Sequence, residues 1–137
     1  MDIIRRNTDY ALRALVHLAQ DQGDGPVSVT VIAEEQYFSY QLACKLMQKL
    51  ARAGLVESAL GAKGGYRLAR RPADIGLQEV IDLIQGPLSL SKCLLGADSC
   101  CKSGDCSIRK KLGELQVQIV EFLNDTTLAD LVQAKSE

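Results

Sequence analysis

Apolar residues recur every three or four positions along most of this chain, and one short stretch breaks that rhythm. Leu12, Leu15, Val16 and Ala19 predict an amphipathic helix over 8–20, with Asn7 or Thr8 as its cap and Asp9 in its first turn. Glycine, aspartate and proline make 21–26 a loop, after which Ser28 or Thr30 opens a short helix over VIAEEQ. Beyond the turn YFS, Leu42, Leu46, Met47 and Leu50 face inward on a helix from about 39 to 52, which ends at Ala53-Gly54. Then the period changes. Leu55–Ala59 and Tyr66–Ala69 read as two short strands around a tip holding Gly61, Gly64 and Gly65, a β-hairpin. Pro72 starts a turn, and 76–85 is a further amphipathic helix ended by Gly86-Pro87. Residues 107–123 form a long helix with an apolar stripe of Leu112, Leu115, Ile119, Phe122 and Leu123, too broad for a free-standing helix. A last short helix covers 127–134.

Two helices joined by a short turn and followed by a glycine-tipped hairpin is the order of a winged helix-turn-helix. The expected fold is therefore mainly α with a small β-hairpin wing and a long C-terminal dimerisation helix. The expected division is a DNA-binding domain over 1–87, a cysteine-rich loop over 88–107, and a dimerisation helix with its tail over 108–137. In this arrangement the second helix of the pair enters the major groove. Its outward positions are Gln41, Cys44, Lys45 and Gln48, with Ser39, Tyr40 and Gln41 at the end aimed at base edges. Glutamine can read adenine in a bidentate way, and serine and tyrosine can donate to phosphates or bases. Cys44 reads best as a small residue allowing close approach to DNA.

Charge adds to this picture only through its distribution. The net charge is −1, yet 45–71 carries seven basic residues (Lys45, Lys49, Arg52, Lys63, Arg67, Arg70, Arg71) against one acid, Glu57. Lys63, Arg67 and Arg70 are expected to meet phosphates, and Lys49 and Gly64 are further expected DNA-binding residues. The 4% aromatic content leaves a core of Leu, Ile, Val and Ala, and 137 residues suit one domain, or one domain with an oligomerisation element. The N-terminus carries no signal-peptide stretch and no run reaches membrane-spanning length, so the expected location is cytoplasmic, with no membrane partner. There is no nucleotide motif, no paired catalytic acids and no Ser/His/Asp set, so an enzyme is not expected.

The hairpin and helices do not account for SKCLLGADSCCKSGDCSI. Four of the five cysteines, Cys93, Cys100, Cys101 and Cys106, fall within 14 residues there. In a reducing compartment thiols gathered on a loop suit a soft metal, an iron–sulfur cluster or a redox couple better than a structural disulfide framework. His17, the only histidine, lies near the apolar stripe of the first helix and reads as a packing residue.

TDYALRALVHLA, IAEEQYFSYQLACKLMQKLARAGLV and GAKGGYRLAR, followed by the cysteine loop and long helix, resemble the Rrf-type transcription regulators. That family includes the iron–sulfur regulator IscR and the nitric-oxide sensor NsrR. The resemblance spans roughly 3–132. It implies a homodimer with crossing long helices on a double-stranded DNA operator. It also implies an iron–sulfur cluster, 2Fe-2S or 4Fe-4S, held by three loop cysteines and one further ligand, and DNA affinity that depends on cluster state. Cys93, Cys100 and Cys106 are the implied ligands, with Cys101 as the alternative. The family's usual spacing of about five residues is not kept, because six residues separate Cys93 from Cys100. The histidine of the IscR pattern is replaced by Arg109, whereas Asp9 matches the acid of the NsrR pattern, which comes from the partner subunit. A metal-free thiol-redox regulator and a zinc-stabilised DNA-binding protein stay open beside this reading. A small redox carrier is a more distant alternative.

Overall fold

Two serines start the helix pair. Ser28 Oγ accepts the Val31 N–H and Ser39 Oγ accepts the Leu42 N–H, both at 3.2 Å. Each satisfies a backbone donor that a first helical turn leaves without an intrahelical partner. The computed structural model describes residues 2–21, 25–62, 64–90, 94 and 106–134. Within them the helices are α1 (Arg6–Gln20), α2 (Val29–Gln36), α3 (Tyr40–Arg52), α4 (Leu77–Ile84), α5 (Ser107–Asp125) and α6 (Leu128–Ala134). Strands β1 (Val56–Ala59) and β2 (Gly65–Leu68) and a 3-10 turn, Pro72–Asp74, stand between α3 and α4.

The first helix corrects the expected cap. It begins at Arg6, so Asn7 and Thr8 lie inside it, and the capping position is Arg5, with no side-chain cap of its own. Thr8 is fully buried, and a side chain from α4 supplies the missing acceptor. At the other end of the pair, Gly54 takes φ 79°, the left-handed residue expected after α3.

The hairpin pairs Val56 with Leu68, Glu57 with Arg67, Ser58 with Tyr66 and Ala59 with Gly65. A third segment joins it. Val27 exchanges both backbone hydrogen bonds with Tyr66, each 2.8 Å. One residue of pairing has no alternation to reveal it, so the sequence pattern shows only a loop before Ser28. Val27 fastens the wing to the start of α2.

One apolar core joins Ala11, Ala14 and Leu15 of α1 to Ile32 of α2, Met47 and Leu50 of α3, Leu55, Val56, Ile75 and Val80, and Leu128 of α6. The last helix thus returns to α1. Two backbone bonds guide it there, Leu77 N–H to Thr126 O and Leu128 N–H to Ile75 O, both 2.9 Å. A second cluster of Ile81, Leu88 and Leu123, flanked by Ile4, Leu77, Leu90 and Ile119, packs α5 on α4. The long helix is therefore held by one edge of its apolar stripe. Leu123 is buried within the chain, whereas Ile108, Leu115 and Phe122, seven residues apart, are 69%, 47% and 71% exposed. No helix among the described residues is long and apolar enough to cross a membrane.

Candidate nucleic-acid interface and cysteine site

Helix α3 divides cleanly. Ala43, Leu46, Met47 and Leu50 are buried, and Tyr40, Gln41, Lys45, Gln48, Lys49 and Arg52 are exposed on the other face. Lys45, Lys49 and Arg52 make no ion pair among the described residues. Ser39 caps the helix with its oxygen, which leaves its hydroxyl hydrogen available for donation. Cys44 is half-buried, one turn along α3 from Tyr40. Hydrogen bonding to the Cys44 side chain, then electrostatic interaction with it, then desolvation raise the Tyr40 phenol above its ordinary pKa. The phenol stays protonated near neutrality and is a donor.

The wing's cations are placed differently. Arg67 Nε pairs with Glu57 across the hairpin, on an exposed face. Arg70 holds both carboxylate oxygens of Glu79 at 3.0 Å and the Ala53 carbonyl at 3.3 Å, tying the end of α3 to α4. Arg71 pairs with Asp74 at 2.9 Å. Two of these three acids, Asp74 and Glu79, lie just beyond the basic run and escape any count that stops at residue 71. Among the described residues of the 45–71 run, the cations without an ion pair therefore lie on α3, and Arg70 has a structural partner on each side. Lys63 lies outside the described residues.

Glycines shape the wing. Gly64 N–H bonds to Gly61 O at 2.9 Å, closing the tip, and a Cβ at Gly64 would overlap the Ala59 carbonyl. Gly65, at φ 155°, lies so close to Val27 that a Cβ there would overlap its carbonyl. Gly64 is thus required by the backbone of the tip.

Of the predicted cluster ligands, Cys93, Cys100 and Cys101 lie outside the described residues. Cys106 occupies the N-cap of α5, half-buried, with its side chain making no cap bond and no disulfide. Among the described residues its sulfur has no partner. The described residues flanking the loop lie against the same helix: Leu90 N–H donates to Gln116 Oε1 at 2.9 Å, and the Leu94 side chain packs over Gly113. Asp9 lies elsewhere, on α1, with its carboxylate 2.9 Å from Arg13 Nε. It edges a cavity of about 320 Å³ lined also by Leu12, Val16, His17, Gln36 and Leu131. His17 Nδ1 and Gln36 Nε2 are 3.4 Å apart there. Among the described residues no group of three or more His, Cys, Asp or Glu is arranged to hold a metal.

A helix pair with a cationic exposed face and a three-segment wing, followed by a long apolar-striped helix, defines a winged helix-turn-helix. Over residues 4–134 the chain matches the Rrf2 family, described as iron-dependent transcriptional regulator, and it belongs to that family. It is 35% identical over 125 residues to the regulator IscR of Vibrio atlanticus, covering 90% of this chain and 71% of that one. It is 32% identical over 126 residues to NsrR of Shouchella clausii, covering 91% and 85%. Its fold superposes on CymR, the global cysteine regulator of B. subtilis, with TM-score 0.84 at 30% identity and 98% of both chains covered. The chain is a helix-turn-helix transcription regulator and not an enzyme.

Proposed function

We propose that this chain is a cytoplasmic, homodimeric regulator whose affinity for a double-stranded operator is controlled by an iron–sulfur cluster. The observation that carries the reading is the gathering of Cys93, Cys100, Cys101 and Cys106 within 14 residues, with the Cys106 sulfur unclaimed at the start of α5. Thiolates are the natural donors for iron–sulfur centres, so the donor set fits. Cys93, Cys106 and one of Cys100 and Cys101 are the proposed ligands, with Asp9 of the partner subunit as the fourth. When bound, such a cluster supplies a centre that responds to nitric oxide, oxidant or cluster supply.

The remaining steps belong to the chain. Leu90, Leu94 and Cys106 tie the loop's described flanks to α5, and α5 packs on α4 through Ile119, Leu123 and Ile81. Helix α4 holds the end of α3 through Arg70 and Glu79, and the start of α1 through Gln85. A change in the loop is thereby passed to the helices that meet DNA. In the dimer, paired through the exposed edge of α5, that change alters the separation of two recognition helices that must match half-sites ~34 Å apart. Gln41, Lys45 and Gln48, with Ser39 and Tyr40, face the groove, and Lys49, Lys63 and Arg67 meet phosphates.

Anaerobic purification followed by iron, sulfide and absorption measurements tests this reading. Stoichiometric iron and sulfide, with DNA affinity that changes when the centre is removed, is the expected result. A colourless protein carrying zinc would replace the cluster with a structural metal. The same cluster of thiols makes a metal-free thiol-redox regulator the second reading. Reversible loss of DNA binding on oxidation, with no metal bound, would establish it.

A further inference from the structure

Tyr37 ends α2 with φ 60° and ψ 46°, the only non-glycine residue in the left-handed region among the described residues. An aromatic residue is disfavoured there, and glycine or asparagine would hold the same turn more easily. Packing does not compensate, because Tyr37 is 88% exposed. Its neighbour does the opposite. Phe38 turns inward and stacks on Tyr10, with ring centroids 4.8 Å apart and planes 9° from parallel. The turn therefore needs one ring for the core and holds a second in solvent against its own backbone preference.

The position of that second ring is informative. Tyr37 precedes Ser39, the cap of α3, by two residues and Tyr40 by three. Three residues of chain reach at most about 11 Å, less than the ~12 Å width of a major groove. With the N-terminus of α3 at base edges, the residues leading into it lie over the rim of the groove, where the phosphates run.

Resting on the reading of this chain as a DNA-binding regulator, we propose that Tyr37 is a further DNA contact, directed at the backbone. Its hydroxyl donates to a phosphate oxygen and its ring packs on the adjoining deoxyribose. The contact is uncharged, so it adds affinity without releasing a counterion and carries no base preference.

The test uses the full chain, a duplex selected by the unmodified protein from a randomised library, and random-sequence DNA. Tyr37→Gly and Tyr37→Asn should melt no lower than the unmodified protein, because both accept the left-handed conformation. Both should bind the two DNAs about tenfold more weakly with an unchanged salt slope. Tyr37→Phe, which keeps the ring, should lose less. Unchanged binding by the glycine and asparagine variants overturns the proposal. A loss confined to the selected duplex also overturns it, by placing the ring at a base edge. If the unmodified protein selects no duplex at all, the DNA-binding reading fails and this contact fails with it.

Discussion

Thr8, wholly buried in the first turn of α1, donates its hydroxyl hydrogen to the side-chain oxygen of Gln85, 77 residues away, at 2.8 Å. The same oxygen accepts the Arg5 N–H at 2.8 Å, and the Gln85 amide nitrogen donates to Ile3 O at 2.8 Å. One amide from the end of α4 thus replaces the cap that α1 lacks and satisfies a buried hydroxyl. Gly86 and Pro87 follow it directly, so this cap stands where the fold leads into the cysteine-rich segment.

Gln85→Ala removes the cap and leaves the Thr8 hydroxyl without its acceptor. The expected loss is about 2 kcal/mol, from a helix cap and a desolvated donor together, or roughly 5–10 °C in Tm for a chain of this size. Thermal and denaturant unfolding measure it. A loss near zero would mean that water serves α1 equally well.

The Val27–Tyr66 pairing makes Gly65 sensitive. Gly65→Ala should displace Val27 from the wing, since the new Cβ would meet the Val27 carbonyl, which is backbone and cannot swing aside. The expected outcome is a clear drop in stability together with weaker binding to all DNA sequences. Gly61→Ala makes a useful contrast, because a Cβ there meets nothing within 4 Å and only the left-handed backbone, φ 108°, resists it. It should be the milder of the two.

The helical elements were legible because their apolar spacing is regular and Ser28, Ser39 and Gly54 mark ends chemically. The wing was legible through its glycines. What stayed hidden is long-range. The cap of α1 comes from Gln85, the third wing segment is the single residue Val27, and Leu128 reaches the main core from the last helix. None of these leaves a local period. The candidate interface shows the same division. The exposed face of α3 follows from helical geometry alone, whereas the pairing of Arg67, Arg70 and Arg71 depends on acids brought close by the fold. The apolar stripe of 107–123 predicted one surface. Packing divides it, with Leu123 and Ile119 turned to α4 and Ile108 joining Leu115 and Phe122 on the open side.

The Glu57–Arg67 pair gives a prediction of opposite sign to most. Glu57→Ala removes an acid from the exposed wing and frees the Arg67 guanidinium. Binding to random DNA should strengthen, and the log–log salt dependence should steepen by roughly one phosphate contact. Stability should change by less than about 1 kcal/mol, as for other exposed pairs. Lys63→Ala with Arg67→Ala should do the reverse. Salt titrations of DNA binding that leave all three proteins alike would remove the wing from the interface.

The open edge of α5 is the proposed dimer surface. Ile108, Leu115 and Phe122 recur at heptad spacing, the repeat that keeps one helical seam on a partner helix. Phe122→Asp or Leu115→Asp should yield monomers in sedimentation, with operator binding lost because two half-sites can no longer be engaged together. The fold should survive, since neither side chain belongs to a buried cluster. An unmodified protein that sediments as a monomer would rule out the surface.

The ligand set can be separated by substitution. Cys106→Ser and Cys93→Ser should each abolish iron and sulfide incorporation, because a hydroxyl is a poor substitute for thiolate at such a centre. Cys100→Ser and Cys101→Ser should differ, one severe and one mild, if a single member of the adjacent pair ligates. Asp9→Ala should leave a centre that assembles but loses iron faster, since solvent can replace a carboxylate. This last variant is a clean probe. Asp9 is half exposed, and among the described residues its ion pair is the surface contact with Arg13 four residues on, worth a few tenths of a kcal/mol, so the fold should be unaffected. Full iron and sulfide content after loss of Cys93 or Cys106 would end the cluster assignment. Equal and complete loss with Cys100→Ser and with Cys101→Ser, and none with Asp9→Ala, would instead describe an all-cysteine site and return Asp9 to its contact with Arg13.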